Sequence, residues 1–294
     1  MSKKFELAFC DWINWLKDEK RASENTIESY KRDIKKWRMF SKEVVSPKRS
    51  DFREFMAKLI DKGNSRSSVA RCVSSLKSFY GYSQKQGYLS APDLDLIKTP
   101  RLQTPLPRAI SNDDALSILD SIGYGRPDWE AARDRAILLL LYGAGLRISE
   151  ALSIKRSDCP FKDWLRVIGK GGKNRDVPIL PIITNSIDHY ITFLPKDFSP
   201  HDPLFIGRRG GPLSPRIIQR LMKKVRIDLN LPDYSTPHSL RHTFATQLLA
   251  GGGDLRSIQD ILGHASLSTT QRYTSVDESG LLKVHRNSHP RENL

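Results

Sequence analysis

The chain has 294 residues, 38% hydrophobic and 28% charged, which is enough for two domains each with its own core. Lys and Arg number 48 against 33 Asp and Glu, a formal net charge of +15, and the excess is about +8 in residues 1–100 and about +7 in the rest. Charge built into both halves is expected to bring both onto one polyanion, nucleic acid before membrane surfaces or ribosomes. No apolar run approaches the length of a membrane span, and the N-terminal MSKKFELAF has no export signal, so no membrane insertion is expected. Cys10, Cys72 and Cys159 lie far apart and form no CxxC pair, which suits a reducing cytoplasm.

In chain order, Phe5, Phe9, Trp12, Ile13 and Leu16 form one helical stripe over 5–19. After polar caps at Ser23–Asn25, a second helix carries Ile27, Tyr30, Ile34, Trp37 and Phe40 on one face and Lys31, Arg32, Lys35, Lys36 and Arg38 on the other. A third follows Ser50 and ends at Gly63, and a fourth runs from Arg66 to Gln84. Four amphipathic helices with short loops predict a helical domain over 1–97. Four prolines in APDLDLIKTPRLQTPLPRAI (91–110) predict an extended linker at 98–110, before a second domain over 111–294.

The second half opens with Ser111 as N-cap and Asp114 three residues on. The helix expected from Asp128 to Tyr142 ends in AILLLLY and reads as buried. Leu165 and Val167, then Val177 and Ile179, alternate around GKGGKN, which predicts a β-hairpin with a basic tip. Ser214-Pro215 starts a helix with Ile217, Ile218, Leu221 and Val225 inward, leaving Arg216, Arg220, Lys223 and Lys224 to face elsewhere. Helices are expected over 239–250, up to Gly263, and over 267–274. The fold class is mainly α with a small β-sheet, an α+β second domain.

Arg147, Lys170, His238, Arg241, His264 and Tyr273 are the chemical set. They supply two guanidiniums, an amine, two imidazoles and a phenol. Cleaving a phosphodiester needs the non-bridging oxygens held, a nucleophile in line and a proton for the leaving alkoxide. Two arginine forks can hold the phosphate where other enzymes use Mg²⁺. Lys170 at the hairpin tip can reach a leaving oxygen, with Lys173 a competitor for that task. His238 and His264 are candidates for proton transfer or donation to phosphate; His242, beside Arg241, would point to another helix face and reads as structural. A tyrosine is a weak nucleophile at its ordinary pKa near 10, and neighbouring cations would stabilise the phenolate. No Asp/Glu cluster or Cys/His spacing suggests a metal. GKGGKN lacks GxxxxGK[ST] and opens no apolar helix, so nucleotide binding is not expected.

GLRISEAL, GKGGKNRDVP, HSLRHTFAT and LGHASLSTTQRYT, in that order, resemble the tyrosine recombinases, the family of phage-lambda integrase and Cre. ASENTIESYKRDI (22–34) and SSVARCVSSLKSFYGY (67–82) are similar to its N-terminal core-binding domain, so the likeness covers nearly the whole chain. Compact length and the ending HRNSHPREN (285–293) resemble the cellular Xer recombinases, and GGDLRSIQDILGHASLSTTQRYTSVD (252–277) resembles their XerC branch more than XerD. Small departures are Ala91-Pro92, where the family often has Asn-Pro, and three glycines at 251–253.

The resemblance implies a two-domain, C-shaped DNA clamp and a 3′-phosphotyrosyl intermediate formed by Tyr273. Arg147 and Arg241 would clamp the phosphate, Lys170 act as general acid, His238 assist proton transfer and His264 donate to the phosphate. Lys31, Lys35, Arg71, Lys77, Arg216, Arg220, Lys223 and Lys224 are the candidate DNA contacts. No cofactor, metal or ATP is implied. The implied partners are a double-stranded recombination site, a second Xer-type recombinase in a heterotetramer and a septal DNA translocase, with residues 276–294 docking between subunits. The implied role is resolution of chromosome dimers at cell division. A type IB topoisomerase and a non-catalytic DNA-binding regulator are the alternatives; the LGH…Y spacing disfavours the first and the complete set of six the second.

Overall fold

The computed structural model describes residues 3–41, 47–90, 94, 109–123, 125, 127–161, 163–169, 174–195, 199–250, 252, 258 and 261–262. The chain divides into two compact units, Met1–Thr104 and Pro105–Leu294.

The described residues of the first unit form four helices, α1 (Lys3–Asp18), α2 (Glu24–Ser41), α3 (Arg49–Asp61) and α4 (Arg66–Lys85), where the apolar spacing predicts them. Ser23 caps α2 by accepting from the Thr26 amide, and Ser65 caps α4 by accepting from the Ser68 amide. Gly63, at φ +75°, takes the left-handed turn after α3. The inward stripes meet in an aromatic core of Trp12, Trp37, Phe52, Phe55, Phe79 and Tyr80. Trp37 stacks on Phe52 with ring centroids 4.3 Å apart. Each buried indole finds an acceptor, Trp37 Nε1 on Tyr80 Oη at 2.9 Å and Trp12 Nε1 on Ser78 Oγ at 3.1 Å. Asp33 of α2, 1% exposed, takes two bonds from Arg71 of α4, from Nε at 2.9 Å and Nη2 at 3.0 Å. That pair ties the two helices and leaves the outer edge of the Arg71 guanidinium toward solvent.

The second unit contains α5 (Asn112–Ser121), α6 (Asp128–Gly143), α7 (Ile148–Leu152), β1 (Trp164–Ile168), β2 (Asn174–Pro178), α8 (Pro181–Ile191), α9 (Pro215–Asp228) and α10 (Pro237–Ala250). Its described residues are mainly helical with one two-stranded antiparallel sheet. Helix α6 is its centre: every residue from Ala136 to Gly143 is buried, and it packs against both α8 and α10. Its buried Arg133 donates to Asp134 Oδ1 at 2.8 Å and to the Ile206 carbonyl at 2.9 Å, so the charges are paired rather than stranded in the core. Ser111 caps α5 by accepting from the Asp114 amide at 3.0 Å.

The hairpin forms where alternation predicts it, pairing Leu165 with Val177 and Val167 with Arg175. These four side chains share one face of the ribbon. Helices α7 and α8 were not expected from the sequence. Helix α10 begins at Pro237, two residues before the expected start, a first-turn position that suits proline's fixed φ. Of the segment expected to be helical up to Gly263, Ile258, Ile261 and Leu262 are helical and buried. The expected helix at 267–274, most of the linker, the hairpin tip and residues 276–294 lie outside the described residues. No helix among the described residues is long and apolar enough to cross a membrane.

Candidate active site

A glycine turn starts the site. Gly145 follows α6 at φ +62°, a conformation that L side chains rarely adopt. A Cβ there would lie 2.6 Å from Phe244 Cε1, closer still to Cδ1, and 3.2 Å from Leu262 Cδ2. The turn buries Leu146 and delivers Arg147 as the N-cap of α7. Three residues on, Glu150 reaches back to the Arg147 amide, with N to Oε2 at 2.7 Å. The same carboxylate accepts from the Arg147 side chain, Nη1 to Oε1 at 2.7 Å.

Glu150 is the hub of the cluster and is 5% exposed. Arg175, projecting from β2, grips it with both ends of its fork, Nη1 to Oε1 at 2.9 Å and Nη2 to Oε2 at 2.6 Å. Arg241 on α10 stands 3.5 Å from Oε2. Its Nη1 donates to the Gly145 carbonyl at 2.6 Å and its Nη2 to the Leu262 carbonyl. Arg175 Nε donates to the neighbouring Ile261 carbonyl at 2.6 Å. The turn before α7, the hairpin, α10 and the Ile261–Leu262 segment are thereby tied through three guanidiniums and one carboxylate.

Among the described residues these three cations face that single carboxylate, a surplus of two positive charges in a largely buried place. The titration of the groups reflects it. Burial alone would raise the Glu150 carboxyl, but the bonds from Arg175 and Arg147 outweigh it and hold the group below its ordinary value. Arg241 is pushed down to about 10, first by burial and then by Arg147 and Arg175, against the pull of Glu150. It remains a cation at neutral pH. Such a surplus, held in fixed geometry, is suited to an oxyanion.

Of the six residues singled out from the sequence, the structure brings Arg147 and Arg241 together around Glu150. His238 is exposed in the first turn of α10, and the half-buried His242 one turn later meets its ring edge-on at 4.4 Å. Burial, then the Arg241 charge, lowers the His242 pKa and so favours the neutral imidazole. Lys170, His264 and Tyr273 lie outside the described residues; His264 comes two residues after Leu262 in the sequence. Glu150 and Arg175 are the residues that reading the sequence missed.

The candidate DNA contacts divide by helix. On α9, Arg216, Arg220, Lys223 and Lys224 are all exposed while Ile218, Leu221, Met222 and Val225 are buried. On α2, Lys35 is exposed and Lys31 is half-buried, paired with Glu28 at 2.8 Å. On α4, Arg71 is fixed by Asp33, and Lys77 lies along the apolar groove formed by Phe52, Met56, Val73, Leu76 and Leu94. No group of three or more His, Cys, Asp or Glu side chains among the described residues could hold a metal.

Residues 108–279 match the phage integrase family and residues 10–87 match its N-terminal SAM-like domain. The chain belongs to the phage integrase family and is a site-specific tyrosine recombinase. It is 43% identical over 294 residues to a tyrosine recombinase XerC of Methylobacterium nodulans, covering 95% of this chain and 91% of that one. It is 44% identical over 292 residues to a tyrosine recombinase XerC of Rhodospirillum centenum, covering 95% and 86%. The fold matches that of lambda integrase bound to DNA, with a TM-score of 0.68 at 19% identity over 92% of this chain and 94% of the integrase.

Proposed function

We propose that this recombinase cuts DNA through Tyr273 and acts as one of a pair of Xer-type recombinases that resolve chromosome dimers at cell division. The observation that carries the chemistry is the surplus of charge where Arg147 and Arg241 meet over Glu150. In this reading the two arginines hold the non-bridging oxygens of the scissile phosphate. The Tyr273 oxygen attacks phosphorus, the bond to the 5′-oxygen breaks, and Lys170 gives that oxygen its proton. His238 assists proton transfer and His264 donates to the phosphate. The 3′-phosphotyrosyl ester conserves the energy of the broken bond, so strand rejoining is the reverse attack and needs neither metal nor ATP.

The domains in this proposal are 1–97 for core binding, 98–110 as linker and 111–294 for catalysis, with 276–294 docking into a neighbouring subunit. The partners are a double-stranded recombination site, a second Xer-type recombinase in a heterotetramer and a septal DNA translocase, and the setting is the cytoplasm. The relatives' name and the DNA carried by the integrase structure support this reading.

Covalent trapping tests it. A nicked suicide duplex bearing a chromosome-dimer-resolution site is incubated with wild type and Tyr273→Phe, in chelator, with and without a partner recombinase. The expected result is a denaturant-stable adduct with wild type alone. An adduct that persists in Tyr273→Phe would overturn the nucleophile. Binding with no adduct even when the partner is present would favour a DNA-binding regulator, and relaxation of supercoils without any specific site a type IB topoisomerase.

The basic face of α9 gives a second expectation. Changing Arg216, Arg220, Lys223 and Lys224 to Gln should flatten the dependence of log K on log salt by about 0.9 for each phosphate that is no longer neutralised. These side chains are exposed, so the melting temperature should hardly move. An unchanged salt slope in a filter-binding or anisotropy titration would remove α9 from the interface.

A further inference from the structure

Arg175 has no part in the chemistry above, yet its guanidinium is engaged on every nitrogen. It comes from an inward-facing strand position, paired across the hairpin with Val167, and its side chain is only 7% exposed. All three of its guanidinium nitrogens are used, two on Glu150 and one on the Ile261 carbonyl. We infer that Arg175 is a positioning residue for strand cleavage: by occupying both oxygens of Glu150, it lets that carboxylate orient Arg147 and Arg241 without neutralising them. The inference rests on the phosphate-clamp reading of Arg147 and Arg241.

A carboxylate beside two phosphate-binding arginines is a competitor for them. Left with those two alone, Glu150 would close on Arg241, whose Nη1 already stands 3.5 Å from Oε2. The pair would then present one net charge to the substrate instead of two. Arg175 fills the carboxylate with a bidentate fork, the strongest match available to it. Arg147 keeps a side-chain bond of 2.7 Å to Oε1, which orients it. The same guanidinium anchors Ile261, next to the Leu262 carbonyl that holds Arg241. One residue thus sets both the charge and the seat of the clamp.

The test is single-turnover cleavage of a nicked suicide duplex at saturating DNA by wild type, Arg175→Met, Glu150→Gln and the double variant. Arg175→Met should cleave about 10- to 100-fold more slowly, the range typical of residues that orient a ligand group, with DNA affinity little changed. The double variant removes the buried cation and carboxylate together and restores the surplus of two, so it should cleave faster than either single variant. A methylphosphonate at the scissile position removes the substrate's charge, and there the deficit of Arg175→Met should shrink to roughly threefold or less, because less cationic stabilisation is demanded.

If Arg175→Met cleaves like wild type, the inference is wrong. If its deficit is equal on phosphate and methylphosphonate and the double variant gives no recovery, Arg175 is a packing ion pair and nothing more. Should Arg175→Met fail to fold, the double variant is compared with Glu150→Gln, which shares its loss of the carboxylate bonds to Arg147: a folded double variant that cleaves more slowly than Glu150→Gln contradicts the proposed charge balance. Absence of an adduct with wild type and its partner recombinase would instead bring down the clamp reading, and this inference with it.

Discussion

Glu150→Gln should destabilise the catalytic unit by about 3–5 kcal/mol, the range for breaking a buried ion pair by removing one partner. Against a total stability of about 5–15 kcal/mol this is a large share. The substitution is nearly isosteric, so cavity formation is not the cause. It removes the one carboxylate that, among the described residues, faces Arg147, Arg175 and Arg241, and two of those guanidiniums are under a tenth exposed. Strand cleavage should fall with it, because the carboxylate bonds to the Arg147 amide and side chain fix that residue at the start of α7.

The pH dependence supplies a sign that can be checked. Glu150 is held below its ordinary value in the folded chain. Its stabilising contribution is therefore complete above the unfolded carboxylate pKa of about 4.3 and disappears as pH falls through the lower folded value. Wild type and Glu150→Gln should differ most in urea melts near pH 7 and converge in acid. Equal midpoints at pH 7 would sink the idea that Glu150 is the hub.

Arg147 and Arg241 were legible in the sequence because they stand in distinctive strings, GLRISEAL and HSLRHTFAT. Glu150 lies in the first of those strings without standing out. A glutamate three residues after an arginine ordinarily reads as an exposed helix pair. Its burial comes from the hairpin and α10 closing over it, which is tertiary information. Arg175 did leave a trace: it occupies the inward register of a strand between Val167 across the ribbon and Val177 two residues on. A charged residue at a core-facing strand position demands a buried partner, and that demand was the usable signal.

The helices show the same division. The four of the first unit were readable because each has an apolar stripe and a polar face, with Ser23 and Ser65 marking two starts. Helix α7 has five residues, too few for a period to register. Helix α8 carries Ile183, Ile187 and Tyr190 inward after Pro181, a helical spacing that was available. It was obscured because the apolar run follows the strand directly, and a short apolar run does not distinguish strand from helix. His242 is a finer case. It does leave the Arg241 face as expected, but it lies four positions after His238, so the two rings share a face and meet.

Gly145→Ala is the second large effect expected, and it separates packing from charge, since it alters no ionisable group. A methyl group at this position meets the Phe244 ring well inside van der Waals distance, and the backbone sits at φ +62°. The left-handed conformation costs roughly 1–2 kcal/mol for a residue with a Cβ, and overpacking adds typically about 1–3 kcal/mol. Phe244 is 1% exposed on a helix packed against α6, so its ring has little room to retreat. The displacement would travel along α10 to Arg241, three residues before Phe244, whose guanidinium is bonded to the Gly145 carbonyl itself. A fall in melting temperature of about 10 °C is expected, at about 2–4 °C per kcal/mol for a unit of this size, together with slower strand cleavage. Adding Phe244→Leu should recover part of the cleavage by relieving the overlap, while the backbone penalty persists. If Gly145→Ala melts within about a degree of wild type, the turn tolerates a side chain, and the close approach of Gly145 to α10 is not what seats Arg147 and Arg241.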